Sequence, residues 1–271
     1  MAKRNRGGQR AGGAGGAGGV SIGSGAQGAP KVVPTNVVPP TPQQVANGNV
    51  LPTGGVAFDK FEQMTDDEKA DVITDALGCG VPMFLEDSGL QRFVYYTGMS
   101  NKPNVVSDDQ LDKMSGKEIF RGVHDAYNSS TDIGYTSTDI YKQIRDGDFT
   151  MFSDSGGSAY GKAIYFGDYA DGASYAHGGR NPLVMRAKIT SGKTISAGAL
   201  STQYNSAINR RDKLALACSN AGYDSARNLY ALAKGYSVVD SGHSYKMILR
   251  RDCLTMSTKT QLNPQYYGGH W

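Results

Sequence analysis

The sequence predicts an α+β fold with a largely antiparallel or mixed sheet. Three features carry that expectation. Short runs alternating apolar and polar residues recur through the second half of the 271-residue chain. Helix-start signals, a capping residue followed by acids, precede several amphipathic stretches. The two kinds of segment come in mixed order rather than as a regular strand–helix repeat.

From the N-terminus, Thr65, Asp66, Asp67 and Glu68 have the spacing of a capping box. They open a helix through Asp71, Val72, Ile73, Ala76 and Leu77, with Gly78 and Gly80 as its stop. Leu90, Phe93, Val94 and Tyr96 fit a second short helix, and Ser107 starts a third with Leu111 and Met114 on one face. Residues 56–115 are therefore expected to be a helical segment packed on the core of the C-terminal half. Residues 118–123 read as a strand, and Ser137 to Arg145 as a capped helix ended by Gly147. A short strand at 163–166 comes after a glycine-rich turn, and Asp171 caps a short helix to Ala176. Residues 183–189 alternate as a strand. Helices are expected over 211–220, on Leu214, Leu216 and Ala217, and over 228–234. Two more strands, 236–240 and 245–249, flank a tight turn at Ser241 and Gly242.

Composition sets the N-terminal boundary. Residues 1–55 hold fourteen of the 36 glycines and six of the ten prolines, and they lack hydrophobic periodicity. Too few apolar groups are present to offset the entropy of ordering, so a disordered tail is expected. The first acid is Asp59, whereas five of the 28 basic residues (Lys3, Arg4, Arg6, Arg10, Lys31) precede it. The tail is thus about +5, and the remainder, 23 basic against 25 acidic residues, is about −2. A basic flexible arm is either a solvated linker or a tether meeting nucleic acid or an acidic partner by charge. Residues 261–271, ending Tyr266, Tyr267, Gly268, Gly269, His270 and Trp271, read as a second flexible, aromatic tail or as a small docking peptide.

Several function classes are excluded. No apolar run of about 18 residues is present, so no membrane-spanning helix is expected. The basic start lacks an apolar core, so no secretory signal is expected. Cys79, Cys218 and Cys253 are an odd set at wide spacing, which suggests neither a disulfide framework nor a zinc site. No phosphate-loop, nucleophile-elbow or metal-spaced His/Cys motif occurs.

Four segments together resemble the ADP-ribosyltransferase family. They are Phe120, Arg121, Gly122 and Val123; Tyr160 through Phe166; Ala173, Ser174, Tyr175 and Ala176; and Val184 through Ala187. The first resembles the Arg-Gly opening of the arginine-type transferases. The second and third resemble the Gly-Lys-Gly-Ile-Tyr-Phe and Ser-Ala-X-Tyr signature of the poly-ADP-ribose polymerase branch. The resemblance covers about residues 115–255. It implies a domain over 116–260 with split mixed or antiparallel sheets, peripheral helices and an NAD cleft between the sheets. NAD would be the substrate, and one ADP-ribose would pass to a protein or nucleic-acid acceptor. Similar domains occur in phage-encoded proteins, some attached to virion components. By analogy, the expected location is the cytoplasm of a bacterial host, or a virion.

The chemistry supplies its own reasons for these residue types. Transfer from NAD breaks an N-glycosidic bond through a ribosyl cation-like transition state, so a catalyst must hold phosphates, clamp nicotinamide and offset positive charge. Arg121 can grip ribose or phosphate oxygens with its donor fork. Gly122 lets the carboxamide approach the main chain, and Gly161 permits a tight turn. Tyr165 or Tyr175 can stack on nicotinamide, and Ser174 can bond its carboxamide. Lys162 meets either a phosphate or solvent. His124 fits a structural role, and Thr136, Ser137 and Thr138 fit a helix cap better than the Ser-Thr-Ser element of the arginine-type enzymes. No metal site is expected.

The family normally places a catalytic Glu at a C-terminal strand, yet no Glu follows Glu118 in this chain. Ser244 and Tyr245 stand where the polymerase branch has Glu-Tyr. Asp240 is the acid at the end of the preceding strand, so it is the expected stand-in. Its alternative role is to accept backbone donors in the Asp240–Ser241–Gly242 turn. A non-catalytic module with this fold, serving as a phage virion or scaffold component, is the rival expectation.

Overall fold

A computed structural model describes residues 51–81, 87–99, 102–125, 136–146, 162–170, 172–173, 181–242 and 245–261. The fold is α+β, with two mixed four-stranded sheets and surrounding helices. Three helices come first: α1 (Phe58–Glu62), α2 (Asp66–Gly78) and α3 (Gly89–Thr97). Thr65 and Glu68 close the expected capping box on α2, and Ser88 caps α3. Gly98, at φ +57°, ends α3 by donating its N–H to the Tyr95 carbonyl.

Strand β1 (Asn104–Val106) and helix α4 (Asp108–Lys113) lead into β2 (Lys117–Val123). Helix α5 (Ser137–Asp146), β3 (Ile164–Phe166), β4 (Leu183–Ile189) and β5 (Lys193–Ser196) come next. Helices α6 (Ala197–Asn209), α7 (Lys213–Ser219) and α8 (Tyr223–Ala233) precede β6 (Tyr236–Asp240), β7 (Lys246–Ile248) and β8 (Leu254–Gln261).

The sheets have matching construction. One has strand order β1-β8-β4-β2 and the other β5-β6-β7-β3. In each, the outer strand is parallel to its neighbour, β1 to β8 and β5 to β6, and the other pairings are antiparallel. The antiparallel edges, β2 and β3, meet. Phe120 and Gly167 exchange both backbone bonds at 2.8 and 2.7 Å, forming one isolated bridge between the sheets.

One core runs through the described residues from Phe58 to Met256. Phe61 lies edge-on to Phe93 at 4.9 Å, so the leading helices share that core. Salt bridges link the same parts: Lys234 to Asp66 and Arg250 to Glu62. The expectation of an all-helical 56–115 segment is corrected by β1, which pairs with β8 in register Asn104↔Thr255 and so belongs to a sheet. The tail boundary at 55 is also corrected. Pro52 is buried, Tyr96 donates its hydroxyl to the Gly54 carbonyl at 2.6 Å, and Leu51 covers Gly98. A Cβ on Gly55 would lie 2.6 Å from the Tyr96 carbonyl oxygen, so this glycine permits a close backbone approach. Residues 1–50 and 262–271, where the tail expectations fall, lie outside the described residues.

Candidate functional site

Strand β2 carries the site residues because its alternation serves two surroundings. Ile119 and Val123 turn to the main core. Arg121 falls on their face, and Glu118, Phe120 and Gly122 fall on the other. Phe120 packs there with Val184 and Ala173, and Tyr169 lies edge-on to it at 5.0 Å. A Cβ on Gly172 would lie 2.9 Å from Phe120 Cβ, so the absence of a side chain lets this helical turn press onto β2.

Arg121 reaches across the seam between the sheets. Its Nη1 donates to the Tyr165 carbonyl at 2.7 Å. A guanidinium has five donors in a rigid plane, and this bond fixes the plane between β2 and β3. Arg121 and the Tyr165 main chain are thus brought together, while Gly122, next in β2, falls on the opposite face of that strand. Tyr165 is half-buried and packs against the main core. Gly161, Ser174, Tyr175 and Ser244 lie outside the described residues. Lys162, just before β3, is held by α8: its N–H donates to Asp224 O at 2.5 Å, and Asn228 Nδ2 donates to its carbonyl at 2.9 Å.

Asp240 lies one row along. The register Phe166↔Lys246↔Asp240 places it two strands from Phe166, about 10 Å at ordinary strand spacing. Its Oδ1 accepts from the Gly242 N–H at 3.0 Å and forms an ion pair with Lys246. Partial burial opposes its ionisation. The Lys246 bond, the Gly242 amide and the charges of Lys246 and Lys117 outweigh that and hold the carboxyl below the usual range. The turn role expected as the alternative for Asp240 is therefore present, together with an ion pair that the sequence reading did not anticipate.

Lys117 and Lys246 were missed. Lys246 sits in an apolar strand with its residue only 3% exposed, on the face shared with Ile248. A lysine at a core-facing strand position was the available signal, because such a charge requires a partner. Asp125 was missed too: it accepts from Ser137 N–H at 2.8 Å and from Asn181 Nδ2 at 2.7 Å, tying the end of β2 to α5 and to the approach to β4. Thr136 caps α5, accepting from Asp139 N–H at 3.1 Å, which accounts for the Thr136–Thr138 element.

Among the described residues no group of three His, Cys, Asp or Glu side chains is arranged to hold a metal, and no helix is long and apolar enough to cross a membrane. Burial raises all three thiols, Cys253 to about 12, which makes them poor nucleophiles. Comparison with protein-family models, curated proteins and solved structures finds no match.

Proposed function

We propose that this protein is an NAD-dependent mono-ADP-ribosyltransferase with an ADP-ribosyltransferase-like fold, modifying a protein or nucleic-acid acceptor. The observation that carries the reading is the seam. An edge strand bearing Arg121 and Gly122 meets an edge strand bearing Tyr165, and the guanidinium is held between them by the Tyr165 carbonyl. A planar donor fork, a residue without Cβ and an aromatic ring are what an anionic dinucleotide with a flat leaving group requires. In this reading Arg121 binds ribose or phosphate oxygens, Gly122 receives the carboxamide and Tyr165 supports the nicotinamide face. Gly161, Ser174 and Tyr175 complete the binding set by resemblance alone. Asp240 would offset the charge that develops on ribose, provided its carboxylate can serve while paired with Lys246. A basic tail contacting nucleic acid or a virion, and the cytoplasm of a bacterial host, belong to the same proposal.

The engagement of Asp240 favours a second reading. Its carboxylate is committed to Lys246 and Gly242, and no Glu follows Glu118. A domain that binds NAD without catalysis, as part of a virion or scaffold, accounts for both facts. The test is incubation of the full chain with bacterial lysate and NAD labelled in its ADP-ribose part. Transfer puts label on a macromolecule, and hydrolysis of NAD releases free ADP-ribose. Intact NAD together with measurable binding supports the non-catalytic reading, and absence of binding removes both.

A further inference from the structure

Helix α5 is seated by few apolar groups and by bonds at both its ends. Of its ten residues, Ser137, Tyr141 and Ile144 are buried, whereas α8 buries eight of its eleven. Bonds to other elements supplement Tyr141 and Ile144. At the start of α5, Asp125, just past β2, accepts the Ser137 N–H at 2.8 Å. In the middle, the Tyr141 hydroxyl donates to the Thr258 carbonyl of β8 at 3.1 Å. At the end, Arg251 donates through Nη1 to the carbonyls of Gln143 and Ile144, at 2.9 and 2.8 Å. Arg251 is wholly buried, and its charge meets the negative end of the helix.

The seated helix lies on a particular side of β2. It packs on β2 and β4, and Tyr141 and Ile144 join the core that includes Ile119, Val123, Met185 and Ala187. Phe120, Val184 and Tyr169 cluster on the other face. Arg121 alternates with Phe120 and so shares the face of Ile119 and Val123. Helix α5 therefore covers the Arg121 side of the strand. An element with little apolar burial opens at a lower free energy than the core. The Arg251 bonds make that opening discrete, because a buried guanidinium half-released from its carbonyls is costly.

We infer that α5 is a gate over the Arg121 face of β2, hinged at Asp125 and latched by Arg251. It opens as a unit while the sheets and α8 stay folded. What the gate admits rests on the NAD reading; that it opens does not.

Hydrogen exchange of the full chain, read by mass spectrometry, tests the gate with two conservative variants. In the parent, amides of α5 should exchange at least about tenfold faster than those of α8. Tyr141→Phe keeps the ring and deletes the bond to Thr258, so α5 exchange should rise about fivefold. Ile248→Val thins the core of the other sheet, where Ile248 is wholly buried. It should speed α8 exchange about twofold to tenfold and leave α5 unchanged, because opening the gate does not expose position 248. Equal exchange of α5 and α8 in the parent, or an Ile248→Val effect of the same size on both, overturns the gate. Saturating NAD separates the gate from the ligand reading. Slowing of α5 together with α8 is the expected result, since a ligand held by Arg121 keeps α5 closed. Slowing of α8 alone overturns the gate and leaves NAD binding intact. No slowing in either helix removes the NAD reading, and the two variants then decide the gate by themselves.

Discussion

Replacing Asp240 with Asn deletes the charge that holds Lys246 while keeping an oxygen for the Gly242 amide. Lys246 is 3% exposed and about a third of the Asp240 side chain reaches water. Breaking a fully buried pair costs about 3–5 kcal/mol, because the surviving charge is stranded. Solvent at Asp240 screens part of this, so about 2–3 kcal/mol is expected. For a domain of this size that is a midpoint drop of about 4–12 °C. Adding Lys246→Met removes the stranded charge and should recover most of the loss, since an apolar replacement for a buried pair is often neutral. The pH dependence comes from the direction of the shift. A carboxyl held below its ordinary value of about 3.9 contributes stability that is full above that value and lost as pH falls through the lower folded value. The double variant should therefore lose less stability than the parent below about pH 4. Calorimetric melts of the three proteins from pH 2 to 8 test this. A single variant that melts like the parent at pH 7 would refute the claim that Lys246 depends on Asp240. The double variant also isolates chemistry from folding. If Asp240 stabilises ribosyl charge, turnover should fall about 10²–10³-fold in a protein of restored stability.

Three further outcomes are expected. A chain starting at Leu51 should melt like the full chain, because residues 1–50 have a composition that cannot offset ordering; one starting at Val56 should lose about 1–2 kcal/mol, or about 2–8 °C, with Pro52 and the Gly54–Tyr96 bond. Gly172→Ala should lower the midpoint by several degrees and weaken binding at the seam, since the added methyl meets Phe120 beside Arg121; circular dichroism melts read the first effect. A disulfide reagent at pH 8 should react slowly with Cys79 alone in the native chain and with all three thiols in denaturant, because Cys218 and Cys253 are buried.

The helices that announced themselves were those with caps. Thr65 with Glu68 and Ser107 with Gln110 mark helix starts by local chemistry, and both form capping boxes. Helix α6 escaped notice because its buried stripe is only Leu200, Tyr204 and Ala207, set among small and polar residues. Strand β8 escaped because Leu254, Thr255, Met256 and Ser257 are all buried, so burial does not follow alternation. Helix α8 starts at Tyr223, five residues before the expected Asn228, after Gly222 at φ +83° with no side-chain cap. Arg121, Gly122 and Tyr165 were legible as a set because each lies on a recognisable strand. The bond from Arg121 to the Tyr165 carbonyl depends on long-range pairing that no local pattern encodes.

The central claim is that the seam binds NAD through Arg121, and calorimetric titration of NAD into the parent and Arg121→Lys tests it most directly. Lysine keeps the charge but loses the planar fork, so affinity should fall by about 1–3 kcal/mol, roughly 5–150-fold. Because Arg121 also holds the Tyr165 carbonyl, the substitution should lower the melt midpoint as well, and titrations belong well below it. Measurable binding by the parent and the stated loss in Arg121→Lys are the expected results. Equal affinity in the two proteins, or no NAD binding by the parent, would contradict the claim.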